Sequence, residues 1–110
     1  MLRRAPERTS QERLSALEEA NRVRFARADA KRDLKSGMLS IYDLLMDPSE
    51  ELKGAKVEEM LLAMRGMGRV KVTRILREAG VSRAKTLVGL THGQRDRLLK
   101  ALGWGDVGGV

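Results

Sequence analysis

Two apolar stripes of helical period stand on either side of a glycine turn, and together they constrain this chain's fold more than any other feature. Val57, Met60, Leu61 and Met64 recur at i, i+3, i+4 and i+7, as do Val72, Ile75, Leu76 and Ala79. Between them runs Arg65-Gly66-Met67-Gly68-Arg69-Val70-Lys71. The spacing predicts two helices packed on each other through a tight turn, a helical hairpin. Glycine has no Cβ and tolerates positive φ, so a Gly-x-Gly turn lets the backbone come close to a partner, and Gly68 is the expected positive-φ position.

The helix that follows such a turn aims its free N–H groups and its dipole at whatever lies there, which favours an anion such as phosphate. No acid occurs between Arg65 and Arg77, so a nucleic-acid backbone is the expected anion. The amides near Gly66 and Gly68 would hold a phosphate, flanked by Arg69 and Lys71. Arg74 and Arg77 lie opposite the Val72/Ile75/Leu76 face and are expected in solvent. Val70 falls outside the main apolar stripe and reads as an edge-of-core residue. An ordinary interhelical turn is the alternative reading of the glycines.

Helices dominate the rest of the chain. Thr9-x-x-Glu12, Ser40-x-x-Asp43 and Thr91-x-x-Gln94 resemble capping boxes, while Gly37, Gly80 and Gly103 read as helix stops. Helices are expected at 10–36, 40–47, 56–65, 68–79 and 91–102, with a short helical turn at 83–87. No segment alternates as a strand would. The fold class is all-α. Three regions are expected: an N-terminal arm and long basic helix over 1–37, a compact helical domain over 38–102, and a flexible tail over 103–110. Trp104 folds back on the domain or stays exposed.

The net charge of +7 is unevenly placed. Residues 1–35 carry ten positive and six negative charges, 36–64 two and six, and 65–100 ten and two. Two basic blocks around an acidic middle point to an anionic partner. The chain has no cysteine and one histidine, His92, which leaves no disulfide, no thiolate metal site and no catalytic pair. No metal, no cofactor and no enzymatic activity are expected. Without a membrane-length apolar run or a signal-peptide pattern, the expected location is the cytoplasm, with no membrane partner.

On a helical wheel, Arg13, Arg24, Arg27, Lys31 and Lys35 share one face of the first helix and most of its acids gather on the other. Leu14, Leu17 and Phe25 face one way, Val23, Ala30 and Leu34 another, so its second half is expected to dock and its first half to project. The segregated charge marks Arg24, Arg27, Lys31 and Lys35 as a second nucleic-acid contact. A third is the loop Ser82-Arg83-Ala84-Lys85-Thr86, where Arg83, Lys85 and Thr86 precede the start of the last helix. A solvated helix face and a polar connection are the respective alternatives.

Over Thr9 to Leu102 the sequence resembles the mycobacterial-type integration host factors, nucleoid-associated proteins of actinobacteria. The resemblance rests on Ala26-Arg27-Ala28-Asp29-Ala30-Lys31-Arg32-Asp33-Leu34-Lys35-Ser36-Gly37, on Lys56-Val57-Glu58-Glu59-Met60-Leu61, on Gly68-Arg69-Val70-Lys71-Val72, and on Leu87-Val88-Gly89-Leu90 followed by Gln94-Arg95. It implies a long N-terminal helix on a compact helical domain with a helix–two-turn–helix module. It also implies binding and bending of double-stranded DNA with little sequence preference, and a role in nucleoid compaction or phage integration. The expected protein is a monomer in solution, with double-stranded DNA as partner and an integrase or other nucleoprotein as a further one. The chain departs from the family in carrying Lys85-Thr86 where relatives have an arginine cluster. The same module occurs in a ribosomal protein, so an RNA- or ribosome-associated role is the alternative; a basic adaptor for an acidic protein is a further one.

Overall fold

The structure, a computed structural model, describes residues 9–104. Five helices occur among them: α1 (Ser10–Ser36), α2 (Ile41–Met46), α3 (Val57–Ala63), α4 (Arg69–Ala79) and α5 (His92–Ala101), with a 3-10 turn at Glu50–Leu52 between α2 and α3. The described residues form no strand. The proposed arm before Thr9 and the tail beyond Trp104 lie outside the described residues. No described helix is long and apolar enough to cross a membrane.

Local chemistry sets the ends of these helices. The Thr9 hydroxyl accepts the Glu12 amide at 3.1 Å and the Glu12 carboxylate accepts the Thr9 amide at 2.8 Å, so two orphan donors of α1 are satisfied reciprocally. Thr91 and Gln94 repeat this at α5, with both bonds at 3.1 Å. Ser40 accepts the Asp43 amide at 3.1 Å but only half a box forms there, because the aspartate is one methylene short for the return bond. Gly37 and Gly80 take left-handed φ values of 88° and 69° and end α1 and α4. After Gly80 the chain turns back, Val81 donating to the Leu76 carbonyl at 2.9 Å.

Packing follows the apolar stripes. Val57, Met60 and Leu61 of α3 are sealed against Val72, Ile75 and Leu76 of α4, and Leu98 of α5 and Leu45 of α2 close the cluster. Of α1, only Ala30 and Leu34 are buried; they dock on α3 and on the 3-10 turn. Residues 10–25 project from the domain, with Leu14, Leu17 and Phe25 exposed. Trp104 does fold back, its amide donating to the Leu99 carbonyl at 2.8 Å and its ring lying 5.3 Å from that of Tyr42.

Three expectations need correction. The segment 83–87 is not helical: Thr86 forms an isolated antiparallel bridge with Lys56, because these backbones pair across the domain and not locally. Val70 is no edge-of-core residue but is 86% exposed, since it stands on the face of α4 turned away from Val72 and Ile75. At the glycine turn the positive φ belongs to Gly66, at 79°, while Gly68 is extended at −92°.

Truncating the core and the projecting helix should therefore differ sharply. Leu61→Ala removes a wholly buried side chain and should cost about 2–5 kcal/mol. Leu17→Ala, on the projecting half of α1, should stay within about 0.5 kcal/mol of the parent. Urea denaturation followed by circular dichroism measures both.

Candidate nucleic-acid interface

The turn between α3 and α4 is closed by its own backbone. Met64 donates to the Leu61 carbonyl at 3.1 Å and Met67 to the Met64 carbonyl at 3.2 Å, and the left-handed Gly66 reverses the chain between them. Gly68 is then the N-cap of α4 and offers no side chain to cap it. The first intrahelical bond from this end runs from the Val72 amide to the Gly68 carbonyl at 3.0 Å. The amides of Arg69, Val70 and Lys71 therefore have no partner within the helix. A Cβ on Gly68 would meet nothing within 4 Å, so the approach to these amides is open. α1 and α5 each begin with a threonine capping box; α4 has no side-chain cap.

Cations surround that helix end. Arg69, Val70, Thr73, Arg74 and Arg77 line a shallow groove on the outer face of α4. Only Glu78, 4.0 Å from the Arg74 Nε, brings an acid to its rim. Lys71 is exposed beside it. On the other side of the turn, Lys31, Arg32 and Lys35 of α1 face Leu62, Ala63, Met64, Arg65 and Gly66 across a cleft. The docked half of α1 and the glycine turn thus belong to one surface.

The four cations marked on α1 do not act alike. Lys35 is exposed in the cleft. Lys31 lines it too, but its Nζ is 2.8 Å from the Glu59 Oε2. Arg27 is half-buried and turned toward the domain, where its guanidinium lies 3.4 Å from the Cβ position of Gly54. Arg24 is exposed and donates to the Asn21 side chain at 2.9 Å, further out along the helix. A single wheel face places these residues together; docking separates them.

The second turn is pinned to the start of α3. Val57 donates to the Lys85 carbonyl at 2.9 Å and Leu87 to the Ala55 carbonyl at 2.9 Å, on either side of the Lys56–Thr86 bridge. The Arg83 Nε is 2.9 Å from the Oε2 of Glu58, whose side chain is only 16% exposed; the rest of the guanidinium stays in solvent. The Thr86 hydroxyl accepts the Gly89 amide at 3.2 Å, so it shapes the turn. Lys85 is half-buried.

Arg65, Arg32 and Thr73 join this surface without having been singled out as site residues. Sequence signals marked two of the three: Arg65 adjoins Gly66, and Thr73 is four residues from both Arg69 and Arg77. Part of the basic C-terminal block is structural. The Arg97 Nε donates to the Ala79 carbonyl at 3.0 Å and Gln94 to the Gly80 carbonyl at 3.0 Å, capping the C-terminus of α4. Among the described residues no group of three or more His, Cys, Asp or Glu side chains could hold a metal ion.

No family model matches the chain. It is 37% identical over 100 residues to the integration host factor of Mycobacterium tuberculosis, covering 89% of this chain and 95% of that protein. The integration host factors of Mycolicibacterium smegmatis, 36% identical over 97 residues, and Streptomyces coelicolor, 29% over 100 residues, match over similar shares of both chains: 86% and 92%, and 89% and 94%. Among solved structures, sIHF bound to an 8bp palindromic DNA matches with a TM-score of 0.73 and 26% identity, over 78% of this chain and 99% of that one. The chain belongs to the mycobacterial-type family of integration host factors.

Proposed function

We propose that the domain binds double-stranded DNA through phosphates, bends it, and serves as a nucleoid-associated protein without enzymatic activity. The observation that carries this reading is the uncapped N-terminus of α4. Three amides and the positive end of a helix dipole open onto a glycine turn, with Lys35 and Arg65 on one side and Arg69 and Arg74 on the other. A backbone phosphate satisfies the amides; neighbouring phosphates meet the cations. Because the α1 cleft and the α4 groove meet at the turn, a duplex that contacts both must follow the corner, which favours bending.

The surface has the makings of a sequence-tolerant, double-strand binder. Its polar groups are arginines and lysines suited to phosphate, and the groove holds no Asn or Gln to read adenine edges. The stacking platforms that single-strand binders use are missing from both clefts: Tyr42 and Trp104 pack against each other at a tilt of 35°, beside Leu99. A solved relative described as bound to DNA supports the duplex reading, and no observation favours RNA. A place in the cytoplasmic nucleoid follows from this ligand. Support of phage integration, with an integrase as partner, extends the same reading.

Affinity for random duplexes should fall steeply with salt. With about five phosphate contacts, the loss between ~50 and ~200 mM salt should be roughly 500-fold. Fluorescence anisotropy with duplex DNA, single-stranded DNA and structured RNA measures this, and a flat salt response would overturn the reading. Replacing Lys35 and Arg65 by Gln should make the log–log slope shallower by nearly two units. The charge-matched control Arg13→Gln with Arg22→Gln, on the projecting half of α1, should leave the slope almost unchanged.

The two glycines separate fold from binding. Gly68→Val puts a side chain into open space at an ordinary φ, so the fold should lose no more than about 1 kcal/mol, as for a poorer N-cap. DNA affinity should fall at least ~10-fold, about 1.4 kcal/mol, because the phosphate can no longer reach the amides. Gly66→Val meets positive φ and should destabilise the fold by about 1–3 kcal/mol. Thermal denaturation and anisotropy on both variants check the pair.

A further inference from the structure

Val70 is the most exposed large hydrophobic side chain among the described residues, at 86%. Neither packing nor local preference asks for valine there, since a β-branched residue that packs on nothing only lowers helix propensity. On a wheel of about 100° per residue, Val70 lies within ~10° of the line directly opposite the Val72, Ile75, Leu76 and Ala79 stripe. That line runs down the groove lined by Arg69, Thr73, Arg74 and Arg77. Arg74 stands ~40° to one side of Val70 and Arg69 ~100° to the other. One apolar side chain therefore crowns a surface otherwise suited to anions.

We infer that Val70 packs on the C2′ side of a deoxyribose in bound DNA and so favours DNA over RNA. The inference rests on the phosphate-binding reading of α4 and adds what lies between the phosphates. A polyanion without apolar surface, such as inorganic polyphosphate, would set solvated charge against the valine methyls. In a nucleic-acid strand one sugar separates each phosphate from the next. A strand held by guanidinium groups on both sides of Val70 thus lays a sugar across it. The Cα–Cβ bond of a helical residue tilts toward the helix N-terminus, which leans the methyls toward the glycine turn and the phosphate bound there.

The sugar decides which polymer fits. Deoxyribose has a methylene at C2′ where ribose carries a hydroxyl, the group by which a protein tells RNA from DNA. Methyl groups pressed on the methylene gain apolar contact; pressed on the hydroxyl, they take it from water and return no hydrogen bond. Thr73 supplies the one hydroxyl among the residues lining the groove. It is half-buried and ~60° further round the helix, on the Arg69 side, away from the sugar that Val70 meets. The arginines attract the phosphates of either polymer, so the discrimination falls to the valine. An apolar contact releases no counterions, and this part of the affinity is independent of salt.

Two substitutions at this exposed position test the contact by fluorescence anisotropy, and neither should change the melting temperature measurably. Val70→Ala deletes the methyls. Its affinity for a random DNA duplex should fall ~3- to 10-fold at every salt concentration, with the log–log salt slope unchanged. Arg74→Gln, by contrast, should make the slope shallower by nearly one unit. Val70→Thr keeps the shape and ends one branch in a hydroxyl. Its affinity for the DNA duplex should fall while that for an RNA duplex of the same sequence holds or rises, so the DNA-to-RNA ratio drops ~3-fold or more. Comparing variant with parent on the same duplex removes the difference in helix form between DNA and RNA. Unchanged DNA affinity in Val70→Ala, a slope shifted as in Arg74→Gln, or equal losses on DNA and RNA in Val70→Thr would overturn the inference alone. A parent that binds no duplex, or prefers RNA, would overturn the DNA reading and the inference with it.

Discussion

Everything at the interface depends on the seal between α3 and α4. Val57, Met60 and Leu61 are wholly buried, and Val72, Ile75 and Leu76 meet them at the period their helix requires. With both stripes facing inward, the outward face of α4 is fixed, and so is the place where its first turn emerges. The left-handed Gly66 closes the connection without a side chain in the way. A hydrophobic contact thus presents a polar feature, three amides without partners inside the helix. Side chains can cap such a turn, as Thr9 and Thr91 do elsewhere, but here the N-cap is glycine and supplies no side-chain acceptor.

Electrostatics refine what packing sets. The acidic middle of the sequence does not merely dilute the basic blocks. Two of its acids, Glu58 and Glu59 on α3, hold Arg83 from the second turn and Lys31 from α1. Partly exposed pairs of this kind contribute little to stability; their effect is to limit where the cations go. Lys31 lines both the cleft at the glycine turn and a neighbouring one with Lys56, Glu58 and Glu59, where the two glutamates offset the two lysines, so the basic surface ends along the α1–α3 seam. Arg97 shows the opposite use of charge, spent on the carbonyls at the end of α4.

The helices were legible in the sequence because their signals are local. A threonine three residues before Glu12 or Gln94, or a glycine after an apolar stripe, acts through bonds made within one turn, and α1, α4 and α5 begin and end within a residue or so of those marks. The helical hairpin was legible for the same reason. The orientation of long side chains was not. Arg24, Arg27, Lys31 and Lys35 share a wheel face, but only part of α1 docks on the domain, which turns Arg27 toward Gly54 and leaves Lys35 in the cleft. Val70 escaped because periodicity marks which residues are apolar, whereas only docking decides which are covered. The Lys56–Thr86 bridge joins residues thirty apart, and no local pattern announces such a pairing.

The central claim is that a phosphate sits on the first turn of α4. Amide chemical shifts measure this most directly, in a titration of the isotope-labelled chain with a short random duplex. The amides of Gly68, Arg69, Val70 and Lys71 should show the largest changes, with smaller ones at Lys35 and Arg65 and almost none over residues 10–20. Unmoved amides at 68–71, with the largest changes elsewhere on the surface, would contradict the account.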